Sequence, residues 1–137
     1  MPYFKNADEL NEVLVQFLSS AMEDPDVGRK FSATDTVFRV NYSDPDAVMW
    51  VDCRVSPPKA WLGKPDEDVP VIDMTMSADD GHRFWLGRLN LTMALAKRQV
   101  AVKGPVTIIM RLLPAVKPVF ARYEQHVRDI GRDDLLA

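Results

Sequence analysis

The chain has 137 residues, 47% hydrophobic and 27% charged, a composition that fits one globular domain and excludes a disordered segment. No apolar run approaches the ~20 residues that span a bilayer. The N-terminus has no cationic stretch followed by an apolar one, so a single domain over residues 1–137, without a signal peptide and located in the cytoplasm, is expected. The lone cysteine, Cys53, excludes an internal disulfide framework and a multi-cysteine metal site. The net charge of −3 hides an asymmetry. Residues 1–81 hold 7 Lys/Arg against 16 Asp/Glu, whereas residues 82–132 hold 10 Lys/Arg against Glu124 and Asp129 alone. A basic half of this kind meets an anionic membrane surface or a carboxylate, or it simply faces the acidic half across the fold. Nucleic acid is not expected, because the cations are not interleaved with exposed aromatics and the chain as a whole is acidic.

The first predicted helix opens at Asn6, with Glu9 three residues on as in a capping box. Leu10, Val13, Leu14, Phe17, Leu18, Ala21 and Met22 then recur at three- and four-residue steps as one apolar face. Asp24-Pro25 starts a short second helix toward Phe31. The period then changes to two: Thr36, Phe38, Val40 and Tyr42 alternate with polar or smaller neighbours. Ser43 to Asp46 is a turn, and Val48 to Val55 alternates again with Met49, Val51, Cys53 and Val55 on one face and Trp50, Asp52 and Arg54 on the other. Pro57 to Pro70 reads as a loop carrying Trp61. A third strand runs from Val71 to Met76, with Ile72, Met74 and Met76 on one face.

From Ser77 the pattern is helical, with Asp79 and Asp80 in a dipole-compatible first turn and Gly87 at its close. A further helix spans Asn90 to Lys97, with Leu91, Ala94 and Leu95 on one side. A short strand, Val100 to Lys103, ends at Gly104. A hydrophobic helix from Val106 to Leu113 is expected to break at Pro114. A last amphipathic helix is expected from Val116, with Pro118 in its first turn and Gly131 as its stop. Lys117, Arg122, Arg128 and Arg132 surround the ridge Val116, Val119, Phe120, Tyr123 and Val127. Such a helix lies on an anionic membrane, lids a cavity, or packs plainly against the fold.

The order of features from Val71 onward resembles the sterol carrier protein type 2 family. The resemblance is carried by Leu86-Gly87-Arg88-Leu89-Asn90, the small helix Met93-Ala94-Leu95-Ala96, the strand Val100-Ala101-Val102-Lys103-Gly104 and the apolar helical tail. Upstream, the amphipathic first helix and a hairpin with Trp50 fit the same pattern. The resemblance implies an α/β (α+β) fold, a roughly five-stranded sheet with helices covering one face. Between them the family keeps an apolar cavity for fatty acids, acyl-CoA esters, sterols or phospholipids. It also implies binding or transfer without catalysis or cofactor. The family usually has a glycine just before the short strand, where this chain has Arg98-Gln99. The chain ends Leu135-Leu136-Ala137, unlike a peroxisomal tripeptide.

Catalytic candidates are few. His82, after Asp79-Asp80-Gly81, reads as an exposed histidine at a helix N-terminus, and His126 as a solvated or partly packed one. Cys53 reads as an inert core thiol, and Asp66-Glu67-Asp68 as a solvated loop cluster without calcium-loop spacing. No phosphate loop, nucleophile elbow or metal-ligand spacing is present, so no enzyme is expected. The binding candidates are Met74, Met76, Phe84, Trp85, Leu89, Met93, Val100, Val102, Met110, Leu113, Val116, Phe120 and Tyr123. Thioether and aromatic side chains adapt to irregular apolar ligands, though they equally fill cores. The alternative is an interaction or regulatory module on the same fold, its cavity closed by Phe84-Trp85-Leu86 and Phe120 and its apolar helix face available to a partner or a homodimer.

Overall fold

Period-two alternation is satisfied by one mixed sheet. The computed structural model describes residues 2–137. Strands β1 (Val37–Ser43), β2 (Ala47–Asp52), β3 (Lys59–Gly63), β4 (Ile72–Ser77) and β5 (Ala101–Lys103) lie in the order β3-β2-β1-β4-β5. β1 and β4 run parallel and every other neighbouring pair is antiparallel. The register places Leu62, Met49, Val40, Met74 and Val102 in one row across all five strands. Ala60, Val51, Phe38 and Ile72 form the next row. A period of two puts both rows on one face.

The helices cover that face. The first runs through α1 (Ala7–Leu10), a π turn (Asn11–Val15) and α2 (Gln16–Ala21), and Asn6 caps it by accepting from the Glu9 amide at 2.9 Å. The wider π turn brings Val13, Leu14 and Val15 all into the core, where regular helical spacing leaves Val15 off the apolar stripe. α3 (Pro25–Ser32) is capped by Asp24, α4 (Ala78–Trp85) by Ser77 and α5 (Leu91–Ala96) by Asn90, each through a side-chain oxygen accepting a backbone N–H. Arg98 ends the α5 turn at φ +60°, a left-handed conformation, at the place where the resembled family carries glycine.

Three expectations are corrected. The stretch 57–70 is not all loop, because Lys59–Gly63 forms the edge strand β3, pairing Trp61 with Trp50 and Ala60 with Val51. Its proline-rich flanks hide a run too short to show alternation. β2 stops at Asp52, so Val55 is exposed rather than part of the inner face. Trp50 is wholly buried although it lies on the opposite face, because residues 64–68 fold over it and its indole N–H donates to the Lys64 carbonyl at 2.8 Å. Beside it, Arg39 donates to both oxygens of Asp73 at 3.0 and 2.6 Å and stacks 5.8 Å from the Trp50 ring.

The third correction concerns the C-terminal half. α6 (Val106–Asp129) is one helix that runs through both Pro114 and Pro118. Both prolines are exposed, so water can serve the Met110 and Pro114 carbonyls whose amide partners are missing. Apolar contacts on the opposite side hold the helix together: Ile109, Leu112, Val116, Val119, Tyr123 and Val127 are buried. The ridge that a membrane-lying helix would expose is therefore inside the fold, with Phe120 only partly covered. Arg122 pairs with Asp24 at 3.2 Å and Arg132 with Glu9 at 2.9 Å, joining the basic half to the acidic half. Among the described residues no helix is long and apolar enough to cross a membrane.

The buried position of Trp50 generates a stability expectation. Trp50→Ala should cost about 3–5 kcal/mol, the range for truncating a buried aromatic. A fall in the urea midpoint of that size checks it. A loss below 1 kcal/mol, on the order of a surface change, would mean that the outer face is not packed.

Candidate functional site

The helices do not fill the space above the sheet. Phe38, Val40, Tyr42, Met49, Val51, Met74 and Met76 form the floor of a cavity of about 110 Å³. Leu18, Met22 and Phe31 wall it on one side, and Gly81, Phe84, Trp85, Leu89 and Leu91 on another. Ile109, Leu112, Leu113 and Val116 of α6 close the roof. Of these, Phe84, Trp85, Leu89 and Leu113 are only partly buried, which sets the mouth between α4, the segment after it and α6.

Seven of the residues read from the sequence meet at this cavity: Met74, Met76, Phe84, Trp85, Leu89, Leu113 and Val116. The other six do not line it. Met93 is 51% exposed, since Leu91 and Ala94 take the inner side of α5. Met110 falls off the stripe set by Ile109, Leu112, Leu113 and Val116. Val100 is buried and Val102 partly buried under the β5 edge. Phe120 stands behind the lining, its ring 5.5 Å from Phe84 and 6.4 Å from Trp85, both edge-on. The sequence-derived set omits Leu18, Met22, Phe31, Leu91, Ile109 and Leu112 of the helices, together with Gly81 and the sheet residues Phe38, Val40, Tyr42, Met49 and Val51. Apolar spacing marks all but Gly81 as inward-facing. Which inward residues touch one another and which border a gap depends on interhelical distances that spacing does not encode.

Tyr123 is occupied elsewhere. His82, expected at the surface, is completely buried, which corrects the sequence reading. Its Nε2 lies 2.7 Å from the Leu135 carbonyl and its Nδ1 2.7 Å from the Tyr123 hydroxyl. A carbonyl only accepts, so Nε2 carries the hydrogen and Nδ1 accepts from Tyr123. Tyr3 and Phe4 pack against the ring with centroids 4.6 and 5.3 Å away. The C-terminal turn Asp133–Leu136 folds over it, Leu135 being buried. Nothing near His82 along the chain signals this, because the partners lie 41 and 53 residues away.

The remaining polar candidates have structural partners. His126 is partly buried, its Nε2 3.0 Å from the Val13 carbonyl. Burial pushes the Cys53 thiol up to about 12, which keeps it protonated and unreactive. The acidic cluster 66–68 is more than solvated: Glu67 accepts from the Trp61 indole at 3.0 Å and Asp68 pairs with Arg54 at 2.6 Å. Among the described residues no group of three or more histidines, cysteines or carboxylates is placed to hold a metal ion.

No protein-family model matches the sequence, and no curated protein is significantly similar to it. Solved structures share the fold. The sterol carrier protein domain 2 of Helicoverpa armigera superposes with a TM-score of 0.64 at 17% identity, over 82% of this chain and 90% of that one. Apo sterol carrier protein 2 from Yarrowia lipolytica gives 0.59 at 16%, over 77% and 88%. Sterol carrier protein 2 from Aedes aegypti, solved in complex with the C16 fatty acid palmitate, gives 0.52 at 17%, over 74% and 96%. The chain has the sterol carrier protein 2 fold, as the resemblance implied.

The buried imidazole makes stability depend on pH. Burial, aided by Arg88 and Arg83, holds the His82 pKa below its ordinary 6.5 against the opposing Leu135 carbonyl and Asp79. The unfolded chain therefore takes up the proton first. The contribution of neutral His82 is whole above pH 6.5 and drains away as the pH falls from there toward the lower folded value. Urea unfolding from pH 8 to 5 should show a decline approaching about 1.4 kcal/mol per pH unit below 6.5. His82→Gln should be flat across that window.

Proposed function

We propose that the protein binds a long-chain apolar ligand, such as a fatty acid, in the cavity between sheet and helices, and carries it without chemical change. The observation that carries this reading is a cavity lined almost wholly by aliphatic, aromatic and thioether side chains beneath a sterol carrier protein 2 arrangement of elements. The palmitate complex of the Aedes aegypti protein supports a fatty chain as the ligand type. A non-catalytic role is supported by the state of the best acid–base candidate, since His82 has both ring nitrogens engaged in the core.

The cavity volume, about 110 Å³, is below the ~300–1,000 Å³ of ordinary small-molecule pockets. A long chain therefore requires the wall to yield. Met22, Met49, Met74 and Met76 supply that freedom, because an unbranched thioether changes rotamer at low cost. The same small volume, with Phe84, Trp85 and Phe120 packed edge-to-face, favours a second reading: a closed cavity on an interaction module whose partner is another protein or a second copy.

A fluorescent long-chain fatty acid separates the two. The carrier reading expects micromolar binding, about −8 kcal/mol, which ten buried methylenes at roughly 0.8 kcal/mol each match before ordering costs. Met74→Trp should abolish it by filling the floor, and Met93→Trp, on the exposed side of α5, should leave it unchanged. Native mass spectrometry without co-purified lipid, together with no probe binding, would favour the interaction module.

A further inference from the structure

Among the side chains lining the cavity only Tyr42 and Trp85 carry an O–H or N–H, and none is charged. Trp85 is partly exposed at the mouth, whereas Tyr42 is 5% exposed. Every side-chain nitrogen and oxygen sealed within the described residues has a hydrogen-bond partner. Among the described residues the Tyr42 hydroxyl has no partner, so its oxygen borders the cavity, beside Gly81, rather than the packed core. Burial alone raises its pKa, with no bonding partner contributing, which keeps it an O–H at any physiological pH. Its direction is fixed by packing. A Cβ on Gly81 would stand 2.7 Å from the Tyr42 ring and 3.4 Å from its hydroxyl, so the ring packs against α4 at that helix's one position without a side chain. Met76 flanks it in register on β4.

A buried hydroxyl without a protein partner is unfavourable in an apolar setting and is uncommon in native folds. It becomes favourable when a bound molecule completes it. We infer that the Tyr42 hydroxyl anchors the polar end of the cavity's ligand, and that this end is a neutral hydrogen-bonding group, an alcohol or a ketone or ester carbonyl. An ionised carboxylate in the same place would be a buried charge without a cation, since no lysine, arginine or histidine lines the cavity. A fatty acid accordingly keeps its carboxylate at the mouth, and a long-chain alcohol places its hydroxyl inside. The inference rests on the carrier reading and names the ligand chemistry of the same cavity.

The test is Tyr42→Phe, which removes one oxygen and keeps the ring on Gly81. Displacement of a fluorescent fatty acid by 1-dodecanol and by dodecanoate is measured for both proteins, with thermal melts of each ligand-free form. The expected result is a roughly fivefold to tenfold loss of dodecanol affinity, the range for one neutral hydrogen bond, with dodecanoate changed less than about twofold. The ligand-free variant melts at the same temperature as the parent or higher, because no protein hydrogen bond is lost. Equal dodecanol affinity in both proteins would overturn the anchor while leaving the carrier reading intact. An equal loss for dodecanoate would overturn the neutral-group assignment. A melting temperature several degrees lower would show the hydroxyl to be structural. Failure of the parent protein to bind any of the three compounds would overturn the carrier reading and the anchor with it.

Discussion

The two apolar rows on one side of the sheet must be taken out of water, and most of the fold follows from that requirement. Five strands present Leu62 through Val102 and Ala60 through Ile72 as a continuous surface. Strands of this length cannot bury such a surface alone, so the N-terminal helix and α4 pack on it, and α3 and α6 face it across the cavity. The N-terminal helix packs on β3 and α4 on β4 and β1, and the round helices leave a misfit between these contacts. The cavity occupies that misfit, and its floor belongs to β1, β2 and β4.

At one end the misfit is closed by polar rather than apolar packing. His82 joins α4, α6 and the C-terminal turn through two short hydrogen bonds, and Tyr3 and Phe4 cover its ring. Arg88 adds a bond to the Leu136 carbonyl, and the Tyr3 hydroxyl one to that of Ala137. A neutral imidazole with one donor and one acceptor bond is fully satisfied there, which makes a polar group tolerable at zero exposure. The outer face of the sheet uses a comparable device. Arg39, Asp73 and Asn41 form a bonded set beside Trp50, and Arg39 lowers the pKa of the Asp73 carboxyl.

Local physics made much of the architecture legible. Side-chain caps at Asn6, Asp24, Ser77 and Asn90 are chemical events within three residues, and the sequence carries them openly. Alternation identified the inner sides of β1 and β4 for the same reason. What escaped depends on distant partners. β3 is a strand only because β2 pairs with it, and α6 is continuous only because its apolar side is held while its prolines face water. His82 looked exposed because its neighbours in sequence are acidic, while its neighbours in space are aromatic. In the cavity, the floor and half of the expected residues were readable. The wall from α2 and α3 was not, since an apolar stripe looks the same against a partner and against a gap.

The paired prolines of α6 have a mechanical consequence. Pro114 and Pro118 remove two successive rungs from the outer side of a 24-residue helix, over the stretch 110–118 that includes the residues roofing the cavity and ends before Tyr123 and Val127. A rod with its outer rungs missing flexes most easily at that point, and it flexes without breaking apolar contacts on its inner side. The roof over Met74 and Met76 is thus a compliant arm on a fixed base. Lost backbone stiffness above the cavity thus adds to the give of the methionine side chains below it.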